Sequence, residues 1–313
     1  MRHNQAIAGA VVAALLAWFD VVGCAQCVAY CWPYFGLKSV LIAGIIRSKF
    51  KSATPAARAG LPAPRYGWSP YEFIGGDEVG LIFYPGAAVE AAAYAPLCRR
   101  VAEEAKATVV LARPPLRFAI TTAGFRKLTA RHPGIKTWAI GGHSHGGGTM
   151  GGMLVAESLP EEVRGLAMLG AVPITNFGPQ TDLSSRRDLE VLNVLATEDG
   201  IVSPKKGAML NFGGGLVEDM FKRLPKSTRR VVIKGGNHAF GSCVRKFTPS
   251  TRRDLSGCVR SYTPSTRLDA SRRGFGDYGI QAYDGERTIS LEDQQAQVAR
   301  HLVSFLKRVR KRG

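Results

Sequence analysis

The stretch Trp138-Ala-Ile-Gly-Gly-His-Ser144-His-Gly-Gly-Gly148 decides the fold of this 313-residue chain. Its apolar start predicts a strand over residues 135–140, and a helix is predicted over residues 149–159. Ser144 stands between them in a Gly-x-Ser-x-Gly turn, the strained strand-to-helix connection that presents a nucleophilic serine. The glycines around it provide the small neighbours that such a turn requires. We therefore interpret Ser144 as a nucleophile.

Strands and helices alternate on both sides of this turn. Apolar runs predict strands at residues 80–84, 108–112, 163–169, 191–197 and 229–234, and helical spacing predicts helices at residues 94–106, 118–129 and 291–308. Such alternation indicates a mostly parallel sheet with helices on both faces. The predicted fold class is therefore α/β.

A serine hydroxyl becomes a good nucleophile only when a base removes its proton. His238 lies in the loop after the predicted strand at residues 229–234, at the sheet edge where such a base is needed. By contrast, His132 precedes a proline before the serine turn, and His301 lies in the last predicted helix. We therefore assign His238 as the base.

The base needs a carboxylate to set its tautomer, and in sheets with this serine turn the order along the chain is Ser, acid, His. Glu198 and Asp199 directly follow the predicted strand at residues 191–197. Asp199 is our choice because Gly200 allows a tight turn after it. Glu198 is the second candidate and Asp182 the third.

An oxyanion hole needs two backbone N–H groups. The residue after the nucleophile, His145, is predicted to supply one. The loop after the strand at residues 80–84 is predicted to supply the other from Ala87, with Gly86 or Ala88 as alternatives. His143 and His145 flank the serine without an acidic partner nearby in sequence, so we predict no metal, and we predict no cofactor.

Taken in order, several short motifs resemble the α/β-hydrolase fold-5 family of small serine hydrolases. They are Phe83-Tyr-Pro-Gly86, Ala93-Tyr-Ala-Pro-Leu97, the Trp138–Ser144 stretch, Glu198-Asp-Gly-Ile-Val202, Gly235-Gly-Asn-His-Ala239 and Phe275-Gly-Asp-Tyr-Gly279. The resemblance extends from Gly80 to the C-terminus. It implies an α/β-hydrolase fold of the eight-stranded type and a triad of Ser144, Asp199 and His238.

One segment departs from the family pattern. Residues 241–274 separate the histidine from the Phe275 motif and form a basic tandem repeat with a period of 15 residues. Two repeats cannot bury a core of their own, so we interpret the insert as a mobile loop or a lid, with an error of gene prediction as the alternative. Residues 171–189, where this fold usually inserts a cap, are too short for a large cap domain.

The first fifty residues are unusually apolar. Residues 1–50 are interpreted as a hydrophobic helical leader, and a retained signal anchor is favoured over a cleaved signal peptide. Residues 51–65 are interpreted as a linker, and residues 66–313 as the hydrolase domain with its insert. This organisation predicts a membrane-associated protein of the secretory pathway or an organelle.

The formal net charge of +18 is concentrated near the C-terminus, where residues 221–313 hold 21 Lys or Arg against 7 Asp or Glu. The run Lys307–Arg312 is typical of a solvated basic end near anionic lipid or RNA. Nucleic acid is nevertheless not expected to be the main partner. The leading hypothesis is a serine hydrolase of carboxylic esters, with a small-molecule or lipid ester as substrate. The alternative is a catalytically idle, membrane-anchored protein whose basic region binds anionic lipid or RNA.

Overall fold

The computed structural model describes residues 52–62, 69–87, 89–114, 117, 124–148, 161–172, 182–202, 221–240, 242–243 and 285–313. These residues belong to the compact unit Lys51–Gly313, and the other unit is Met1–Phe50. The predicted leader, the predicted helix at residues 149–159 and nearly all of the repeat insert lie outside the described residues. The domain boundaries, the anchor and the mobility of the insert therefore stay predictions.

Seven strands form one sheet in the described part of the chain. They are β1 (Tyr71–Ile74), β2 (Val79–Tyr84), β3 (Thr108–Leu111), β4 (Thr137–His143), β5 (Val163–Leu169), β6 (Glu190–Ala196) and β7 (Arg229–Ile233). Their order across the sheet is β1-β3-β2-β4-β5-β6-β7, and all neighbours are parallel except β1 and β3. The α/β-hydrolase fold with a mostly parallel sheet is thus confirmed. The described strands number one fewer than the eight that the resemblance implied.

The burial of each strand explains whether it could be predicted from the sequence. Every residue of β2, β4 and β6 is buried, as expected for parallel strands covered by helices on both faces, and such strands are continuous apolar runs in the sequence. The strand that sequence analysis missed, β1, is a four-residue edge strand in which buried and less buried residues alternate. An edge strand of this length leaves only a weak periodic signal.

The described part of the chain also forms helices. They are α1 (Pro55–Arg58), a 3₁₀ helix (Ala91–Tyr94), α2 (Ala95–Ala105), α3 (Gly124–Thr129) and α4 (Leu291–Arg310). The predicted helices at residues 94–106 and 291–308 are confirmed within two residues, and α3 ends at the predicted residue 129, whereas residues 118–123 of that predicted helix lie outside the described residues. Helix α4 packs directly on the sheet, because a Cβ atom at Gly165 of β5 would lie 2.5 Å from a methyl carbon of Val309.

The arginines of the basic end Lys307–Arg312 are paired within the folded domain, although Lys307, Lys311 and Arg312 are exposed as expected for a solvated end. Arg308 and Arg312 both form ion pairs with Glu190, at N–O distances of 2.6 and 3.0 Å. Arg310 pairs with Glu78 at 3.1 Å and donates to the backbone carbonyls of Ala105 and Lys106 at the C-terminal end of α2. Each of these arginines therefore already has partners within its own domain.

The stretch that we interpreted as a linker also packs against the domain. Ala53 and Ala57 are buried in the main hydrophobic cluster. Arg58 donates two hydrogen bonds to Glu90, at 2.8 and 2.6 Å, and the N–H of Thr54 donates to the carbonyl of Cys243 at 2.9 Å. The packed structure thus already includes residues upstream of the predicted domain start at residue 66, and Cys243 at the start of the insert belongs to it.

A chain that begins at Ala63 is expected to be less stable than one that begins at Ser52. The shorter chain loses the burial of Ala53 and Ala57, at about 0.8 kcal/mol per buried carbon, and a half-exposed ion pair worth about 0.5 kcal/mol. The sum of about 2 kcal/mol corresponds to a fall in Tm of roughly 5 °C for a domain of this size. Thermal unfolding of the two chains measures the difference, and equal Tm values would show that residues 52–62 add nothing to the fold.

None of the helices within the described ranges combines the length and the apolarity needed to cross a bilayer.

Candidate active site

Ser144 lies at the sharp turn where β4 ends. Its backbone is in the left-handed region, with φ of +51°, which is rare and strained for a residue with a side chain. The N–H of Ser144 donates to the carbonyl of Leu169 on the neighbouring strand at 2.8 Å. The N–H of Gly148 donates to the carbonyl of Ser144 at 2.9 Å and closes the helical turn at residues 145–148. The serine is therefore held on a strained strand-to-helix turn, as the motif predicts.

Two glycines of the motif allow this turn to contact the loop after β2. A Cβ atom at Gly142 would lie 2.4 Å from the carbonyl oxygen of Tyr84, and one at Gly146 would lie 2.3 Å from that of Pro85. Both distances are too short for any side chain. The glycines thus bring the serine turn against the loop that was predicted to supply an oxyanion donor.

The three side chains predicted from sequence form one hydrogen-bonded line. His238 Nε2 lies 2.8 Å from Ser144 Oγ, and His238 Nδ1 lies 2.8 Å from Asp199 Oδ2. The side chains of His238 and Asp199 are fully buried, and Ser144 is half-buried. In this arrangement the imidazole can accept the serine proton on one side while the carboxylate accepts its N–H on the other.

Backbone donors hold the Asp199 carboxylate in place. Its Oδ1 accepts the N–H groups of Ile201 and Val202 at 2.8 and 2.9 Å, which leaves Oδ2 directed at the histidine. The other candidate acids lie elsewhere: Glu198 Oε1 accepts the hydroxyl of Thr197 at 2.7 Å, and the exposed Asp182 accepts the N–H of Ser184. Of the three candidates, the structure brings Asp199 to His238.

The loop that carries His238 is held by residues that sequence analysis missed. The buried Asn237 donates from Nδ2 to the carbonyl of Gly285 at 3.1 Å and accepts the N–H of Ala239 at 3.2 Å. The carbonyl of Asn237 accepts a hydrogen bond from the buried Gln294 of α4 at 2.7 Å. The C-terminal helix therefore helps to fix the histidine loop, although 57 residues separate the two partners in the chain.

The candidate oxyanion donors differ in their hydrogen-bond partners and in their positions. The N–H of Gly86 donates to Tyr94 Oη at 3.1 Å, so this group already has a partner. Ala88 lies outside the described residues, and Ala87 is half-buried in the turn after β2. His145 is the first residue of the helical turn that follows the nucleophile. The roles of Ala87 and His145 as oxyanion donors stay predictions.

A second histidine, His143, contacts the ring of His238. His143 is fully buried, and its ring centroid lies 4.8 Å from that of His238. Its Nδ1 lies 2.6 Å from Tyr94 Oη. Sequence analysis considered His143 only as a metal ligand, and Tyr94 only as part of a family motif. The pairing of a histidine before the nucleophile with a tyrosine 49 residues upstream has no local sequence signal.

The comparisons with known proteins agree with this fold. A model of the alpha/beta hydrolase family matches residues 80–246, just over half of the chain. The chain therefore belongs to the alpha/beta hydrolase family, and it is a hydrolase. The family resemblance inferred from the ordered motifs is confirmed. No protein of curated function matches the sequence.

Three similar solved structures share little sequence with this chain. The chain is similar to a predicted CIB-like hydrolase from Thermoplasma acidophilum, with 12% identity and a TM-score of 0.39, over 57% of this chain and 88% of the other. It is also similar to MGS-MChE2, an alpha/beta hydrolase enzyme from a lagoon-sediment metagenome, with 15% identity and a TM-score of 0.41, over 57% and 90%. A third similar structure is that of a mutant of the esterase rPPE, with 12% identity and a TM-score of 0.43, over 80% and 87%.

Proposed function

We propose that this chain is a serine hydrolase of carboxylic esters that works through an acyl-enzyme. The observation that carries the proposal is the hydrogen-bonded line from Asp199 through His238 to Ser144, with the serine on a strained turn at φ +51°. A serine, a base within hydrogen-bond reach and a carboxylate that orients the base are the parts that nucleophilic acyl transfer requires.

Acylation begins when Ser144 Oγ attacks the ester carbonyl carbon and His238 Nε2 takes the hydroxyl proton. The tetrahedral oxyanion is bound by the N–H groups of His145 and Ala87. Asp199 stabilises the imidazolium that forms, because its charge lies 2.8 Å from Nδ1. When the carbon–oxygen bond of the ester breaks, His238 returns the proton to the leaving alcohol and Ser144 keeps the acyl group.

Deacylation repeats these steps with water as the nucleophile. His238 removes a proton from water, the oxygen attacks the acyl carbon, and the proton passes to Ser144 Oγ as the carboxylic acid leaves. Thioesters, amides and peptides require the same groups and differ in the leaving group. Because the region at residues 171–189 is too short for a large cap domain, we expect an open cleft, which suits a small or surface-presented ester better than a deeply enclosed substrate.

The substrate class that we propose is a lipid or acyl-glycerol ester. The apolar leader at residues 1–50 supports this choice, since membrane association would bring the domain to such substrates. The association is tested by sedimenting the full chain with membranes and washing the pellet at high salt. The chain should stay with the membranes, because salt screens charge but not apolar burial. The alternative of an idle lipid- or RNA-binding protein is less favoured, since Arg308 and Arg312 pair with Glu190.

The proposal is tested on the full chain with p-nitrophenyl esters of increasing acyl length and with the matching thioester and amide. Ester turnover should fall in proportion to the fraction of protein labelled by a fluorophosphonate probe, which reacts with activated serines. Turnover of the thioester or the amide alone would reassign the reaction within the hydrolases. A chain that neither reacts with the probe nor turns over any substrate would contradict the proposal.

A further inference from the structure

A chain of hydrogen bonds links the loop after β2 to the residue before the nucleophile. The N–H of Gly86 lies 3.1 Å from Tyr94 Oη, and Tyr94 Oη lies 2.6 Å from His143 Nδ1. Tyr94 and His143 are both fully buried. These bonds therefore form in a water-excluded interior, where a hydrogen bond is stronger and a lost partner is costly.

Donor and acceptor chemistry fixes the direction of the first of these bonds. A backbone N–H can only donate, so Tyr94 Oη accepts from Gly86. In the second bond the tautomer of His143 sets which atom donates, because a phenol oxygen can donate its own proton or accept with a second lone pair. Either tautomer of His143 keeps Tyr94 Oη bonded to both partners.

The position of the loop depends on close contacts as well as on these bonds. A Cβ atom at Gly86 would lie 2.9 Å from His143 Nδ1 and 3.2 Å from Tyr94 Oη, so the loop backbone lies directly against both side chains. Ala87, which we propose as an oxyanion donor, is the next residue along the chain. A shift of the Gly86 peptide would move the N–H of Ala87 with it.

We propose that Tyr94 and His143 are positioning residues that fix the oxyanion loop against the nucleophile. Tyr94 holds the Gly86 peptide, and His143 holds the Tyr94 hydroxyl from the position next to Ser144. The pair thereby connects the loop that stabilises the oxyanion to the strand that carries the attacking serine. The inference rests on the proposed function, since it names residues that position the same site.

The test is Tyr94→Phe in the full chain, which removes one hydroxyl and keeps the ring. We expect kcat for a short p-nitrophenyl ester to fall about tenfold or more with KM within about threefold, because a misplaced oxyanion donor weakens transition-state binding alone. Tyr71→Phe is the matched control, because Tyr71 is also buried but lies on the edge strand β1. The kcat of this variant should stay within about twofold of the parent value. An unchanged kcat in Tyr94→Phe would overturn the inference.

A second pair of variants isolates the hydrogen bond made by His143. His143→Asn keeps an amide that can donate or accept a hydrogen bond close to the position of Nδ1, whereas His143→Leu removes this capacity. We expect the asparagine variant to retain at least about fivefold more kcat than the leucine variant, because it can restore the hydrogen bond to Tyr94. Equal losses in the two variants would show that the hydrogen bond to Tyr94 is not what matters.

Amide hydrogen exchange separates this inference from the proposed function, because it does not depend on turnover. In Tyr94→Phe the Gly86 amide loses its acceptor, so the segment at residues 85–94 should exchange faster than in the parent or in Tyr71→Phe. Unchanged exchange would overturn the inference even if the parent enzyme is active. A parent chain without esterase activity counts against the proposed function, while the exchange rate still decides whether the hydroxyl holds the loop.

Discussion

Replacing Ser144 with alanine is expected to lower ester turnover by about 10⁴-fold or more and to abolish fluorophosphonate labelling. The hydroxyl is the atom that attacks, and it lies 2.8 Å from His238 Nε2, so no other group of the line can replace it. Alanine meets the same strain as serine at φ +51°, so Tm should stay within about 2 °C of the parent.

Ser185→Ala is the matched control for this experiment. Ser185 is exposed on the loop before β6, and its removal should leave both labelling and turnover unchanged. Labelling of the Ser144→Ala variant at the parent rate would place the nucleophile elsewhere. Loss of labelling together with a large fall in Tm would mean that the serine is needed for folding, and rescue by Ser144→Cys, which keeps a nucleophile, would distinguish a catalytic role.

Replacing Asp199 with asparagine is expected to lower kcat by about 10³- to 10⁴-fold without unfolding the domain. The N–H groups of Ile201 and Val202 require an acceptor at Oδ1, so the amide oxygen of asparagine must take that place. Its NH₂ group then faces His238 Nδ1 and donates to it. The histidine must carry its proton on Nε2, where it can no longer accept the proton of Ser144.

Glu198→Gln is the control, because Glu198 was the second candidate for the acid and precedes Asp199 in the chain. Its side chain accepts the hydroxyl of Thr197, and glutamine keeps an oxygen for that bond. We expect a change in kcat of less than about threefold, and comparison of kcat for the two variants assigns the acid. A larger loss in Glu198→Gln than in Asp199→Asn would identify Glu198 as the functional carboxylate.

The sequence predicted the parts of the site that have local signals. The serine turn is marked by closely spaced glycines, and Asp199 and His238 each lie in the loop that follows an apolar run. In a parallel sheet the ends of successive strands meet at one edge, so residues at those ends are brought together whatever separates them in the chain. The α/β class, the serine turn and the candidate triad residues were therefore predictable from sequence.

Other features could not be predicted because they depend on contacts without a local pattern. Strand β1 is short and lies at an edge, and residues 52–62 show the prolines and alanines of a linker although Ala53 and Ala57 are buried. The basic C-terminal run shows its charge in the sequence, but its acidic partner Glu190 lies 118 residues upstream of Arg308. Composition describes each segment by itself and does not indicate its partner.

What the sequence determined by itself is the order of strands and helices and the chemical identity of the groups that follow the strands, because these depend on spacing along the chain. Only the tertiary structure decided that Asp199 rather than Glu198 contacts the histidine, since both follow the same strand. It alone joined Gly86, Tyr94 and His143, because the order β2-β4 in the sheet brings the loop after one strand against the end of the other. Hydrogen bonds act over about 3 Å, and only the folded chain specifies which distant groups approach that closely.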